Sequence, residues 1–260
     1  MDPVEQLFER AVDDRRHGAA EIERRLLRDL LEARREWTAD GLTRGADRLT
    51  DGQPAMANLR RLAHELARPE LAEVESRLRH RLAVLDELGD RLAAAAWPLL
   101  DGVPRVLTLS RSSAVAAVLL GAWRRGWRGE TLVFDGSPAG GGADQAAELA
   151  RTMDRVRSLP DAVMRDGFEG ASTRVVVGAD AVGRDRFVNV SGTALLVELA
   201  AARAVPVTLV ADTGKNLAED ELDEILAALP TAGDGAVGRR WPLFEPVPLE
   251  LVTDRVTEGE

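Results

Sequence analysis

No cysteine occurs anywhere in this 260-residue chain, which removes disulfides, thiolate metal sites and cysteine nucleophiles together. Histidine is scarce too. His17, His64 and His80 are the whole set, and their spacing offers no ligand cluster of the kind that holds zinc. His17 and His80 fall in arginine-rich helical stretches, where an exposed or capping role is expected. Neither a metal nor an organic cofactor is therefore expected. No stretch approaches the roughly 20 uncharged apolar residues that a membrane span needs. The acidic start Met1-Asp2-Pro3-Val4-Glu5 is unlike the basic opening of a signal peptide, so a cytoplasmic location is the expectation. Basic charge is in deficit: 34 Lys and Arg against 44 Asp and Glu leave a formal charge of −10. That argues against general nucleic-acid binding, which rests on phosphate neutralisation. Lysine itself is nearly missing, because Lys215 is the only one and all other basic residues are arginine. A GC-rich genome explains this bias; a salt-adapted cytosol is the alternative.

What is present suits a folded chain. Forty-five per cent of residues are apolar, enough for a substantial core, and the length fits one large domain or two unequal ones. The first hundred residues read as helices. Asp2-Pro3 forms an N-cap and first helical position. Ala19, Ile22, Leu26, Leu27, Leu30 and Ala33 recur at helical spacing after Gly18. A polar break at Thr50-Asp51-Gly52-Gln53-Pro54 precedes a helix with Met56, Leu59, Leu62 and Leu66. A third helical segment, from Pro69 to about Ala96, ends at Trp97-Pro98 and Asp101-Gly102.

Near Pro104 the texture changes to short apolar strands alternating with helices. Strands are expected at Arg105–Leu109, Thr131–Phe134, Arg174–Val177 and Val207–Val210. Helices are expected from Ser112 to Trp123, from Ala143 to about Arg155 and from Gly192 to Arg203. Such alternation implies a Rossmann-like, doubly wound α/β fold with a mainly parallel sheet. The reading is a helical N-terminal domain over 1–98 and an α/β domain over 104–260. Ligands in such sheets bind beyond the carboxyl ends of the strands, so the residues just after each strand are the site candidates.

Three strand ends meet that expectation. Leu107-Thr108-Leu109-Ser110-Arg111-Ser112-Ser113 looks like an apolar-Thr-x-Ser-x-Ser strand-to-helix turn. Val177-Gly178-Ala179-Asp180-Ala181-Val182 matches V-G-A-D-x-[VI]. Asn189-Val190-Ser191-Gly192-Thr193 follows it and is similar to N-K-x-G-T. In this order and spacing the chain resembles the family that unites translation initiation factor 2B regulatory subunits with sugar-phosphate isomerases. Weaker matches extend the resemblance over nearly the whole chain: His17-Gly18-Ala19-Ala20-Glu21-Ile22, Gln53-Pro54-Ala55-Met56 against R-P-[ST]-M, and Phe244-Glu245-Pro246-Val247-Pro248 with Val256-Thr257-Glu258-Gly259. The resemblance implies a crevice for a small phosphorylated ligand, a sugar phosphate or nucleotide. It marks Gly18, Ser110, Ser112, Ser113, Asp180, Asn189, Gly192 and Thr193 as candidate ligand-binding residues. It also implies pairing of two copies through their α/β domains, a homodimer or larger.

The isomerase branch of that family converts aldose to ketose with a cysteine and an aspartate as acid and base. Asp180 stands at the aspartate position and is the candidate catalytic residue. Ser110 stands at the cysteine position, and a hydroxyl is much harder to deprotonate than a thiol of pKa ~8.5. A serine needs an adjacent base, and no histidine is evident for it in the sequence. Where the family has E-[ST]-R-P, this chain has Asp135-Gly136-Ser137-Pro138; where it has N-K-x-G-T, Val190 replaces the lysine. Arg15, Arg16 and Arg111 are the candidates to compensate. These losses point to a non-catalytic or regulatory, translation-factor-related binding protein; the alternative is an isomerase acting on a sugar 1-phosphate, similar to ribose-1,5-bisphosphate or methylthioribose-1-phosphate isomerases. Plainer readings remain beside both. The serines cap a helix, Asp180 is a loop residue, Asn189, Gly192 and Thr193 shape a turn, and Gly140-Gly141-Gly142 is a flexible loop lacking the P-loop lysine.

Overall fold

The computed structural model describes residues 2–14, 17–67, 70–229, 231–234 and 239–259. Five helices come first: α1 (Pro3–Asp13), α2 (Ala19–Glu32), α3 (Ala39–Gly52), α4 (Ala57–Leu66) and α5 (Leu71–Leu100). Among the described residues no strand precedes Arg105, as the helical periodicity required. Asp2 caps α1 by accepting the Val4 N–H at 2.8 Å, with Pro3 in the first turn, where a missing N–H costs nothing. Pro98 does not end α5. It sits inside the last turn, and the helix runs on to Leu100 before Asp101 caps it. So close to the carboxyl end, proline removes one intrahelical bond and leaves little helix beyond it to break.

Helix α3 is an element the sequence reading missed, placing a break where its last turn lies. The reason is visible in the packing. Gly45 lies against Phe8, and a Cβ there would stand 2.2 Å from the ring. Gly52 lies equally close to Val12. Glycine lowers helix propensity, so the residues that let α1 and α3 approach also hide the helix.

Beyond Pro104 the chain forms β1 (Arg105–Leu109), α6 (Ser113–Arg124), β2 (Glu130–Phe134), α7 (Gly142–Ala150), β3 (Val156–Leu159), β4 (Thr173–Gly178), β5 (Ala181–Val182), β6 (Arg186–Val190), α8 (Thr193–Ala201), β7 (Val207–Val210), α9 (Glu219–Ala227), β8 (Thr231–Asp234), β9 (Arg239–Pro242), β10 (Phe244–Pro248) and β11 (Asp254–Val256). Six strands make one parallel sheet in the order β11-β7-β4-β1-β2-β3. The chain winds outward from β1 on one side, then returns to lay β4 on its other side, so the topological switch falls between β1 and β4. Side chains alternate along the strands. Val106, Val133, Val176, Val210 and Val256 join one apolar cluster with α1 to α7. Leu107, Leu132, Phe134, Val175, Val177 and Leu209 join a second cluster with α8. The first cluster runs without interruption from the helical region into the sheet.

A departure from the parallel pattern follows β4. Asn189-Val190 is not the end of a parallel strand but the end of β6, which pairs antiparallel with β5 and β10 in a small second sheet. The short run Ala181–Val182 and the tight reversal before Arg186 leave too few residues for a crossover helix, and only antiparallel strands tolerate so short a link.

Candidate functional site

A cavity of about 540 Å³ opens over the carboxyl ends of β1 and β4. Of the sequence-predicted residues, Gly18, Ser110 and Asp180 line it. Open α/β sheets bind ligands at this place, where the strand order reverses.

Ser110 leaves β1 with φ of +58°, a conformation non-glycine residues seldom adopt and one that accumulates at functional sites. Its N–H donates to the Phe134 carbonyl at 2.8 Å, and its Oγ donates to the Gly140 carbonyl at 2.5 Å. The hydroxyl is thus tied to the facing loop, with no histidine or carboxylate bonded to it among the described residues. Gly140 and Gly141, expected as a flexible loop, form a cavity wall beside Ser110. They have φ of +78° and +104°, and a Cβ on Gly142 would meet the Phe134 carbonyl at 2.2 Å. Close backbone approach, which only glycine permits, fixes this run.

Asp180 sits in the connection between β4 and β5. Its N–H donates to the Val188 carbonyl at 2.8 Å, and its carbonyl accepts the Ala57 N–H at 3.1 Å. The helical region thereby buttresses the turn. Although Asp180 reaches the cavity, protein encloses most of its carboxyl. That burial pushes its pKa from 3.8 up to about 6, against the pull of the Lys215 ammonium.

The remaining predicted residues serve the frame. Ser112 caps α6, its Oγ accepting the Val115 N–H at 3.3 Å, and Ser113 is the first residue of that helix, packed beside Gly18. Neither lines the cavity. Asn189 does not join Ser110 and Asp180 as expected: its amide donates to Thr193 Oγ1 at 3.1 Å. Thr193 in turn donates to the Val190 carbonyl at 2.7 Å. Gly192, with φ of +96°, starts α8 against Leu109. At the amino end of that helix the Ala194 N–H is taken by Glu245, at 2.9 Å. Of this segment only Val190 reaches the cavity. Arg111 lines it too, but its guanidinium is held by Glu148 at 2.8 Å. Arg15 and Arg16 lie outside the described residues.

Sequence reasoning missed three participants. His17 is not in a helix; it stands in the α1–α2 connection and lines the same cavity. Its Nδ1 lies 2.7 and 2.9 Å from the two oxygens of Asp14, the arrangement that orients an imidazole and leaves Nε2 for other work. Gln53, where the resembled pattern has arginine, is buried and donates to the Val12 carbonyl at 2.9 Å, tying the end of α1 to the cavity rim. Lys215 is buried behind Asp180, its Nζ donating to the Ala179 carbonyl at 2.5 Å. Asp14 and His17 are three residues apart after a helix, a signal for the first; being the one lysine was the signal for the last. Among the described residues no group of three or more His, Cys, Asp and Glu is placed to hold a metal ion, and no helix is long and apolar enough to cross a membrane.

Comparison with known proteins gives a consistent picture. The model of the Initiation factor 2 subunit family matches residues 16–258. A Pyrococcus furiosus protein described as translation initiation factor eIF-2B subunit 2-like is 29% identical over 208 residues, 79% of this chain and 75% of that protein. Among solved structures, the Pyrococcus horikoshii translation initiation factor eIF-2B superposes with a TM-score of 0.86 at 25% identity, covering 99% of this chain and 96% of the other. The 5-methylthioribose 1-phosphate isomerase of the same organism superposes with a TM-score of 0.69 at 19% identity, covering 98% and 83%. The last likeness is one of fold.

Proposed function

The chain belongs to the Initiation factor 2 subunit family, and from that premise we propose that it is a non-catalytic or regulatory member that binds a small phosphorylated ligand, a sugar phosphate or nucleotide, in the cavity between Gly18, Ser110 and Asp180. The observation that carries this reading is the convergence of those three residues at the β1–β4 switch. The amino end of α7, with Gly140 and Gly141, supplies a wall suited to an anion, because helix amino ends favour negative charge. Binding without turnover fits Ser110, whose hydroxyl is engaged by a carbonyl, and Val190, an apolar side chain in the cavity wall.

We further propose that two copies associate. Leu195 of α8 and Trp241 of β9 are large apolar residues left exposed, and the Ser191 hydroxyl bonds the Pro242 carbonyl, so the two segments adjoin. A symmetric contact there should bury more than about 1,000 Å².

A second reading, an aldose–ketose isomerase, is favoured by one observation: His17, oriented by Asp14, shares the cavity with Asp180. An acid and a base able to titrate near working pH are what such chemistry needs.

A thermal-shift screen against sugar phosphates and nucleotides tests the binding common to both readings. A ligand at 100 times its dissociation constant adds about 2.7 kcal/mol of stability. Stabilisation by a sugar phosphate or nucleotide, lost in a cavity variant such as Gly141→Val, supports the reading. A screen in which no such compound stabilises the protein sinks it.

A further inference from the structure

Thirty-four basic residues include one lysine, and that lysine is buried. Lys215 ends the short 3-10 turn Thr213–Lys215 after β7 and is 5% exposed. A buried ammonium must be paired and hydrogen-bonded to remain charged. Lys215 is: Nζ donates to the Ala179 carbonyl at 2.5 Å and lies 3.9 Å from Asp212 Oδ2. Ala179 and Asp180 follow β4, and Asp212 follows β7, the strand beside it. One ammonium therefore stands between the carboxyl ends of two adjacent strands, with buried Asp212 after one and half-buried Asp180 after the other. It does not line the cavity that Asp180 lines.

We infer that Lys215 is a positioning residue of the crevice: bonded to the carbonyl before Asp180, it places a fixed positive charge behind that side chain and keeps it a carboxylate facing the ligand. This rests on reading the crevice as a ligand site. A compact ammonium on an unbranched stem fits so enclosed a spot, whereas the broad guanidinium of arginine needs a planar set of partners. The local backbone also has bonds of its own beside the one from Lys215. Asp180 N–H bonds Val188, Ala57 N–H bonds the Asp180 carbonyl, and Leu217 N–H bonds the Val182 carbonyl at 2.9 Å. What the lysine adds to those bonds is a hydrogen bond to the Ala179 carbonyl and a charge.

The other charged groups around the pair define what a titration reads. Facing Asp180 across the cavity are Asp14, His17, Arg111 and Asp144, of which Arg111 is neutralised by Glu148. Facing Lys215 is Asp212; next beyond it lies buried Glu23, which feels Asp212 and is itself held by Arg81. Lys215 is the charge that acts against the burial of Asp180.

Being the sole lysine makes the test direct. Protein labelled with [ε-13C]lysine shows one lysine resonance, recorded without ligand from pH 4 to 8. We expect a titration step with its midpoint near that of Asp180, absent in Asp180→Asn. In Lys215→Met, which keeps length and removes charge, the Asp180 carboxyl followed by [γ-13C]aspartate should titrate at a higher pH than in wild type. A lysine resonance that does not move, or moves identically in Asp180→Asn, overturns the inference, as does an Asp180 titration unchanged in Lys215→Met. If Lys215→Met does not fold, the comparison of wild type with Asp180→Asn decides alone. These readings use ligand-free protein, so they stand or fall apart from the screen that tests the crevice as a binding site.

Discussion

Asp14 grips the imidazole of His17 at Nδ1, 2.7 Å from Oδ2 and 2.9 Å from Oδ1, and so fixes a ring that lines the same cavity as Ser110. With Nδ1–H given to the carboxylate, Nε2 is the nitrogen left for a ligand. A hydrogen bond to a charged ligand group is worth about 1.5–3 kcal/mol, or roughly 10- to 100-fold in affinity. His17→Ala should therefore weaken binding of the best sugar phosphate by that factor in calorimetry, with the melting temperature of the ligand-free protein little changed. Unaltered affinity would remove His17 from the site.

Asp180 should cost the protein stability that it returns as function. Its carboxyl titrates at about 6 when folded and near 3.8 when unfolded. Below pH ~3.8 it is protonated in both states and carries no penalty. As pH rises from about 4 to about 6 the unfolded chain ionises first, so folding is progressively disfavoured, and the full penalty holds above pH ~6. At 1.36 kcal/mol for each pH unit, the limit is about 3 kcal/mol. Asp180→Asn should accordingly be more stable than wild type at pH 7.5, by up to about 3 kcal/mol, and indistinguishable from it near pH 3.5. Urea denaturation at both pH values checks this; a variant less stable at pH 7.5 contradicts it.

Glu23 is pushed up by burial as Asp180 is, but it is bonded directly to other side chains. It is 1% exposed, and burial pushes its carboxyl upward, opposed by Arg81 and by the Asn58 amide. Arg81 donates to it and to Glu65, while Asn58 Nδ2 donates to it at 2.5 Å. Removing Glu23 takes one partner from Arg81, which keeps Glu65, and the only side-chain acceptor from the buried Asn58 amide. An unsatisfied buried polar group costs about 1–3 kcal/mol. Glu23→Ala should lose about that much in denaturant melts at neutral pH. A loss below 1 kcal/mol would mean that water solvates the cluster.

Gly45→Ala tests the contact between α1 and α3. The added methyl would stand 2.2 Å from a carbon of the Phe8 ring, which is fully buried. Overpacking costs typically 1–3 kcal/mol, outweighing the roughly 1 kcal/mol that alanine gains over glycine in a helix. Net destabilisation is expected, and a more stable variant would show that the two helices separate freely.

Four strands of the parallel sheet, β1, β2, β4 and β7, were legible because buried parallel strands are short unbroken apolar runs, as in Leu107-Thr108-Leu109 and Val175-Val176-Val177. The edge strands β3 and β11 carry charged residues such as Arg157 and Asp254 and were missed. Ser110 and Asp180 could be found for the same reason, since the ends of such runs are where the crevice lies. Helix α3 was not, because Gly45 and Gly52 answer to Phe8 and Val12, which are distant in sequence. Asn189 was placed by assuming another parallel strand, whereas β6 turns back against β5 within a few residues. His17 and Lys215 reach Asp180's surroundings from other parts of the chain, and no local pattern joins residues so far apart.

The central claim, binding in this crevice without turnover, is tested most directly by phosphorus NMR of ribose 1,5-bisphosphate during prolonged incubation with the protein. The account predicts broadened or shifted phosphate resonances that are restored in a cavity variant such as Gly141→Val, and no product resonance above that of Asp180→Asn. Steady growth of a ketose bisphosphate signal, abolished in Asp180→Asn and in His17→Gln, would contradict it and establish the isomerase instead.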